Sequence, residues 1–388
     1  MKKQNMTLTI LLTNLFIAFL GIGLVIPVTP TIMNELHLSG TAVGYMVACF
    51  AVTQLIVSPI GGRWVDRFGR KIMIVIGLFF FSVSEFLFGI GKTVEMFISR
   101  MLGGISAAFI MPGVTAFIAD ITTIKTRPKA LGYMSAAIST GFIIGPGIGG
   151  FLAEIHSRLP FFFAAAFALL AAILSMLTLR EPERNHENQD IKGQKTGFKR
   201  IFAPMYFIAF LIILISSFGL ASFESLFALF VDHKFGFTAS DIAIMITGGA
   251  IVGAITQVVL FDRFTRWFGE IHLIRYSLII STSLVFLLTI VNSYFSILLV
   301  TVTVFVGFDL MRPAVTTYLS KIAGNEQGFA GGMNSMFTSI GNVFGPIIGG
   351  MLFDIDVNYP FYFATVTLAI GIALTIAWKA PAHIKAST

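Results

Sequence analysis

GFIIGPGIGG runs from Gly141 to Gly150, and GNVFGPIIGG runs from Gly341 to Gly350. In a soluble chain such glycine and proline punctuation marks a loop. Here both stretches lie inside apolar runs of more than twenty residues, so they read as helix. Gly141, Gly145 and Gly149 recur every four residues, as do Gly341, Gly345 and Gly349. Small residues at that spacing share one helix face and let helix backbones approach closely in lipid. Pro146 and Pro346 each remove one internal hydrogen bond and favour a kink.

The likeness continues outward from the two copies. EIHSRLPFFFA at 154–164 matches DIDVNYPFYFA at 354–364 at the same offset, pairing Pro160 with Pro360 and Phe161 with Phe361. MPGVT at 111–115 matches RPAVT at 312–316, and Asp66-Arg67-Phe68 finds an echo in Asp262-Arg263-Phe264. After Asp262-Arg263 no trailing glycine and basic pair align, so the second copy of this loop reads as degraded. The two halves of the chain are related by duplication. Internal repeats of this kind are a feature of secondary transporters, with the substrate path at the repeat interface. The glycine-lined helices are expected at that interface, sealing one side of the path.

Composition agrees with a membrane chain. Of 388 residues, 56% are hydrophobic and only 12% charged, against about 25% charged in a soluble domain. A helix needs about 20 apolar residues to span a bilayer, and twelve such runs are found. They lie near 8–29, 42–61, 72–91, 95–119, 130–153, 159–179, 204–231, 240–261, 272–292, 294–319, 328–353 and 358–378. The first is too long for a signal-peptide core and reads as a spanning helix. The expected fold is an all-α membrane protein of twelve transmembrane helices in two pseudo-symmetric six-helix bundles. The bundles cover 1–179 and 204–388, and the polar stretch 180–203 is a cytoplasmic linker.

The net charge of +7 is a topology signal rather than a nucleic-acid footprint. With both termini on one side, 21 of the 26 Lys and Arg fall on that side and three on the other. The positive-inside rule then puts both termini in the cytoplasm. Arg100 and Arg312 remain inside spans. One cysteine excludes an internal disulfide and a Cys-based metal cluster. There is no phosphate-binding Gly-x-x-x-x-Gly-Lys-Ser/Thr loop, so ATP is not the direct energy source. No metal cluster, nucleophile elbow or selectivity-filter loop argues for an enzyme or a channel.

An ionisable side chain at mid-bilayer depth is costly, about 2.5–3.5 kcal/mol on insertion scales, and is a functional candidate by default. Five qualify: Glu85 in span 3, Arg100 in span 4, Glu224 in span 7, and Asp309 and Arg312 in span 10. Asp309 lies midway along its span, with Arg312 three residues on along the same face. Burial and that cation act on its proton in opposite senses. Glu224 adds a second carboxylate in the same half, which favours a cationic ligand. Glu85 lies nearer the outer end of its span and reads as a structural or lipid-snorkelling residue. Asp120, at the inner end of span 4, reads as a gate or cap residue.

Phe305 lies four residues before Asp309, Phe227 three after Glu224, and Phe142 beside the glycines of span 5. Carboxylates with aromatic faces suit a lipophilic cation through charge and cation–π attraction. Few directional hydrogen bonds are on offer, and Asn14, Gln54, Gln257 and Asn334 are the candidate cavity polars, so such a site discriminates poorly.

Four motifs carry a family resemblance over essentially the whole chain. GGRWVDRFGRK at 61–71 resembles the cytoplasmic signature of the major facilitator superfamily through Asp66, Arg67, Gly69, Arg70 and Lys71. GFIIGPGIGG resembles the span-5 motif of its antiporter branch, and LGIGLVIPVTP at 20–30 is similar to the first-span signature of the 12-span drug/proton antiporters. SRMLGG at 99–104 resembles the span-4 motif that carries an Arg. The resemblance implies a bacterial inner-membrane pump that exports varied lipophilic, mostly cationic drugs and dyes in exchange for protons. Such a pump acts as a monomer among membrane lipids, without cofactor, metal or nucleic acid. Asp309, Glu224, Arg100 and Arg312 would then couple protons, and Phe142, Phe305, Phe227, Asp309 and Glu224 would bind substrate. Asp66, Arg67, Gly69, Arg70, Gly141, Gly145, Pro146, Gly149, Gly345 and Pro346 would gate the path. The cytoplasmic ion pairs are expected to be weak surface bridges, which suits two states of similar energy. The alternative is a proton-coupled symporter for uptake of a small metabolite, against which the span-5 motif speaks.

Overall fold

The computed structural model describes residues 2–123, 126–182, 204–323 and 327–378, and most of the expected linker at 180–203 lies outside them. Among the described residues there is helix and no strand. Helix α1 spans Lys2–Val25 and continues through a 3-10 turn, Ile26–Val28, into a short helix, Thr29–Glu35. Then follow α2 (Gly40–Phe68), α3 (Arg70–Ile90), α4 (Thr93–Ile121), α5 (Arg127–Ile155) and α6 (Leu159–Thr178). In the second half α7 is Pro204–Phe235.

The segment Ala239–Leu288 is two helices that meet at a kink, where Gly269 leaves helical geometry. Fifty helical residues would measure about 75 Å, more than twice the roughly 30 Å hydrocarbon core. The segment is therefore two spans, α8 before Gly269 and α9 after it. The second half ends with α10 (Tyr294–Ala323), α11 (Gln327–Phe353) and α12 (Tyr359–Ala377). Among the described residues, eleven helical segments are long and apolar enough to cross a membrane; with the Gly269 break they make twelve spans.

Backbone punctuation follows residue chemistry. Gly69 separates α2 from α3 at φ 108°, and Gly269 separates α8 from α9 at φ 73°, a region open to glycine and strained for other residues. These two glycines stand 200 positions apart. The second loop copy is thus intact at its glycine, in register with GFIIGPGIGG and its partner, and the apparent degradation came from anchoring the match on Asp262. Pro160 and Pro360 open α6 and α12 in the first turn, where a missing N–H costs nothing.

The chain forms two compact units. The first holds the residues up to Leu38, Met46 onward through α6, and Gly236–Thr247; the second holds Ser39–Tyr45, α7, and Gly248 onward. Each unit therefore takes one short segment from the other half of the sequence. In the first, α1 packs on α5 and α6, and α3 packs on α4 and α6. Leu11, Leu15, Ile74, Leu78, Val114 and Phe117 are wholly buried there. In the second, α7 packs on α11 and α12. Phe223 is its aromatic hub, 5.4 Å from Phe227 and 6.0 Å from Phe361 between ring centres.

The glycine stripes serve packing inside each unit. A Cβ on Gly141 would lie 2.8 Å from the Phe16 carbonyl oxygen, and one on Gly145 would lie 2.6 Å from that of Leu20. Gly149 faces the Leu24 carbonyl still more tightly. Gly345 would meet the Phe218 carbonyl at 2.7 Å, and Gly341 the Phe218 amide nitrogen at the same distance. The stripes thus seat α5 on α1 and α11 on α7. Each helix continues through its proline, Pro146 or Pro346.

Candidate functional site

In the second unit, the side chains singled out on α10 lie along a glycine face of α8. A Cβ on Gly249 would lie 2.5 Å from the Phe305 ring, and one on Gly253 would overlap the Asp309 carboxylate. Gly248, one residue off this face, has nothing nearer than Val302 at 3.9 Å. The Asp309 carboxylate is therefore held against bare backbone at Gly253, half-buried. Sequence reasoning missed Gly249 and Gly253, although their four-residue spacing was visible.

Glu224 on α7 is the third member. Arg312 and Asp309 both act on it electrostatically, and Arg312 acts on Asp309 as well. Two acidic side chains and one guanidinium from α7 and α10 thus act on one another as one group. Glu224 and Arg312 are exposed on their unit, and no ion pair among the described residues locks either acid to Arg312. Phe305 extends the group toward the core, its ring 6.1 Å from that of Phe223. Phe227 does not belong to it. Only 1% exposed, it packs in the core, which corrects the expectation of a lining ring.

The first unit holds a different arrangement. The Arg100 guanidinium lies 4.2 Å above the Phe88 ring, and Phe88 stacks on Phe161 with ring centres 4.8 Å apart. Arg100 acts electrostatically on Glu85, which is 2% exposed and so does not snorkel to lipid. Phe142 is exposed, its ring 5.0 Å from that of Phe19 on α1. A small apolar cleft opens among α1, α2, α3 and α4, lined in part by Phe19, Phe50, Phe81 and Met111. Asn14 is buried and donates to the Ser175 hydroxyl at 2.8 Å.

At the inner helix ends, Arg70 pairs with Asp120 at 2.8 Å, both side chains about nine-tenths covered. This is a buried pair. Asp66 lies 3.4 Å from Arg70 and is itself exposed, and Arg67 lies over Phe68. Glu181 accepts the backbone N–H groups of Arg70 at 2.5 Å and Lys71 at 2.9 Å. The α3 N-terminus has no acid in its first turn and begins with two cations, which oppose the helix dipole. The Glu181 carboxylate offsets that, a role hidden when 180–203 is read as linker. In the second unit the polarity reverses. Glu270 follows Gly269 and pairs with Lys321 at the end of α10, so the acid sits at the helix N-terminus and no second acid is needed.

The opposite ends show no such inversion, since each unit uses a cation there. Arg158 donates to the Gly89 and Gly91 carbonyls that end α3 and pairs with Glu35. In the second unit it is Lys234 that donates to the Thr289 carbonyl after α9, and to Asn358. Within the second unit Asp354 caps the start of α2, accepting from Gly40 N–H at 2.6 Å, Thr41 N–H at 2.9 Å and the Thr41 hydroxyl. Within the first, Glu154 accepts from the Ser240 hydroxyl at the start of α8.

A family model described as Major Facilitator Superfamily matches residues 11–341 and 209–388. The chain belongs to the Major Facilitator Superfamily. It is 96% identical to Multidrug resistance protein 1 of Bacillus subtilis over the full length of both chains. It is 45% identical to the Quinolone resistance protein NorA of Staphylococcus aureus, covering 96% of this chain and 95% of that one. Among solved structures, a bacterial homolog of the human lysosomal transporter Spinster, inward-facing and unoccupied, superposes with TM-score 0.82 at 18% identity over 97% and 96% of the two chains. The nucleoside transporter NupG superposes with TM-score 0.77 at 14% identity over 96% and 98%. These two likenesses concern the superfamily fold alone. The chain is a multi-pass membrane protein and a secondary transporter rather than an enzyme, as members of this superfamily are.

Proposed function

We propose that this protein exports structurally varied lipophilic cations from the cytoplasm in exchange for protons. The observation that carries the reading is the pair of acids Glu224 and Asp309, coupled to each other and to one Arg312, in an apolar unit. Two carboxylates against one cation leave room for a positive ligand, and Phe305 beside them offers an aromatic face. Drug and proton then compete for the same negative charge: protonation removes the attraction that held the drug and favours the state that takes up the next one. The names of the two bacterial relatives, a multidrug and a quinolone resistance protein, support export over metabolite uptake.

Under this proposal the proton gradient is the sole energy source, the protein sits as a monomer in the bacterial cell membrane, and both termini are cytoplasmic. Positioning belongs to Gly249 and Gly253, and conformational latching to the pairs at Arg70 and Glu270. Purified protein in liposomes tests the reading. The native protein should exchange a lipophilic dye cation for protons against a dye gradient. Asp309→Asn or Glu224→Gln should bind dye more weakly and lose the exchange. Dye movement with no counterflow of protons in the native protein would refute antiport, and proton-driven dye accumulation in the direction of uptake would favour symport.

A further inference from the structure

Glu85 is the buried ionisable group that the second-unit site leaves unused. It lies on α3, which packs on α4 and α6 and touches α1. Its Oε2 atom is buried without any hydrogen-bond partner. A carboxylate in that position, 2% exposed and short of a partner, is costly; the neutral acid is much less so. The charged groups around it are few. Arg100 is the one that α4 brings to act on it. Helix α6 contains no ionisable residue, and α1 carries only Lys2 and Lys3 at its far end.

Arg100 is close yet not paired. Among the described residues no ion pair joins it to Glu85, and its guanidinium rests instead on the Phe88 ring, one helical turn beyond Glu85. Phe88 is held by its stack on Phe161. A long guanidinium side chain on a fixed ring, one turn from a carboxyl with an unpartnered oxygen, is placed to exchange the ring for the carboxylate when that oxygen is charged.

We propose that Glu85 is a second proton-binding carboxyl of the transport cycle, housed wholly in the first unit and switched by Arg100. The step balances simply. The Glu85 O–H bond breaks, its proton passes to water, and the carboxylate left behind pairs with Arg100, which stays charged throughout. Reprotonation sends Arg100 back to Phe88. The proposal rests on the proton-coupled reading above, and its test separates the two.

Purified full-length protein in detergent is mixed with tetraphenylphosphonium in weak buffer, and released protons are counted over a pH series. Glu85→Gln should still bind the cation, release fewer protons than the native protein, and show a displaced pH profile. A Glu85→Gln variant with the native proton count and pH profile would overturn the proposal while leaving coupling at Asp309 and Glu224 standing. No proton release from the native protein would overturn both. If Glu85→Gln fails to fold, Arg100→Lys carries the test. It keeps the charge but not the planar fork, so the pH profile should move; an unmoved profile overturns the switch.

Discussion

At Gly253 a hydrogen atom stands where any other residue would place a carbon into the Asp309 carboxylate. Gly253→Ala should therefore dislodge Asp309 without altering any charge. Affinity for a dye cation should fall on the order of tenfold, about 1.4 kcal/mol, and binding of an uncharged ligand should change far less. Gly248→Ala is the matched control, since its added carbon meets only ordinary contact with Val302. Equal losses in the two variants, measured by dye fluorescence titration, would dissociate Gly253 from Asp309. Asp309, Glu224, Arg100 and Arg312 were legible in the sequence, because a charge in an apolar span is conspicuous and costly. Their partners were not. Glycine carries no chemistry to notice, and Phe227 differs from Phe305 only in which way its helix face turns.

At the scale of the helix, the duplicated fold repeats its latches with the signs exchanged. Arg70 at the start of α3 finds Asp120 at the end of α4, while Glu270 at the start of α9 finds Lys321 at the end of α10. Burial makes the two pairs unequal. Both partners are covered in the first pair, so removing Arg70 strands a buried carboxylate, at about 3–5 kcal/mol, and removing Asp120 leaves Arg70 only the exposed Asp66. In the second, the Lys321 side chain is 46% exposed against 7% for Glu270. Glu270→Gln should then cost little, since Lys321 returns to water, and Lys321→Ala should cost more. Thermal unfolding of the four single variants should rank Arg70→Ala and Asp120→Ala as most destabilised and Glu270→Gln as least. Glu181→Gln belongs to the same element. It removes the negative charge that accepts two N–H groups ahead of Arg70 and Lys71, and should lower stability by about 0.5–2 kcal/mol, as loss of a helix cap does.

At the scale of the molecule, one architecture is laid down twice. Two glycines at positive φ stand 200 residues apart, two prolines open the last helix of each half, and two glycine stripes seat the fifth helix of each half on the first. The proposed coupling makes a prediction at this scale. A protonophore should abolish dye efflux from cells whose ATP is maintained, and ATP depletion with an imposed proton gradient should leave efflux running. Efflux that follows ATP in those two conditions would place the energy source elsewhere.

The amino-acid sequence alone determined the class of this protein, its twelve spans and its duplication, because the bilayer imposes a fixed run of apolar residues and penalises every charge within it. These are local or periodic properties, readable one window at a time. Only the tertiary structure decided which face each span turns to which neighbour. It set the glycine stripes against α1 and α7, laid Asp309 on Gly253, buried the Arg70–Asp120 pair, and left Glu85 without a partner beside Arg100. In lipid every face of a span is apolar, so no hydrophobic stripe in the sequence marks the inward side. The choice is made by close packing between residues tens to hundreds of positions apart.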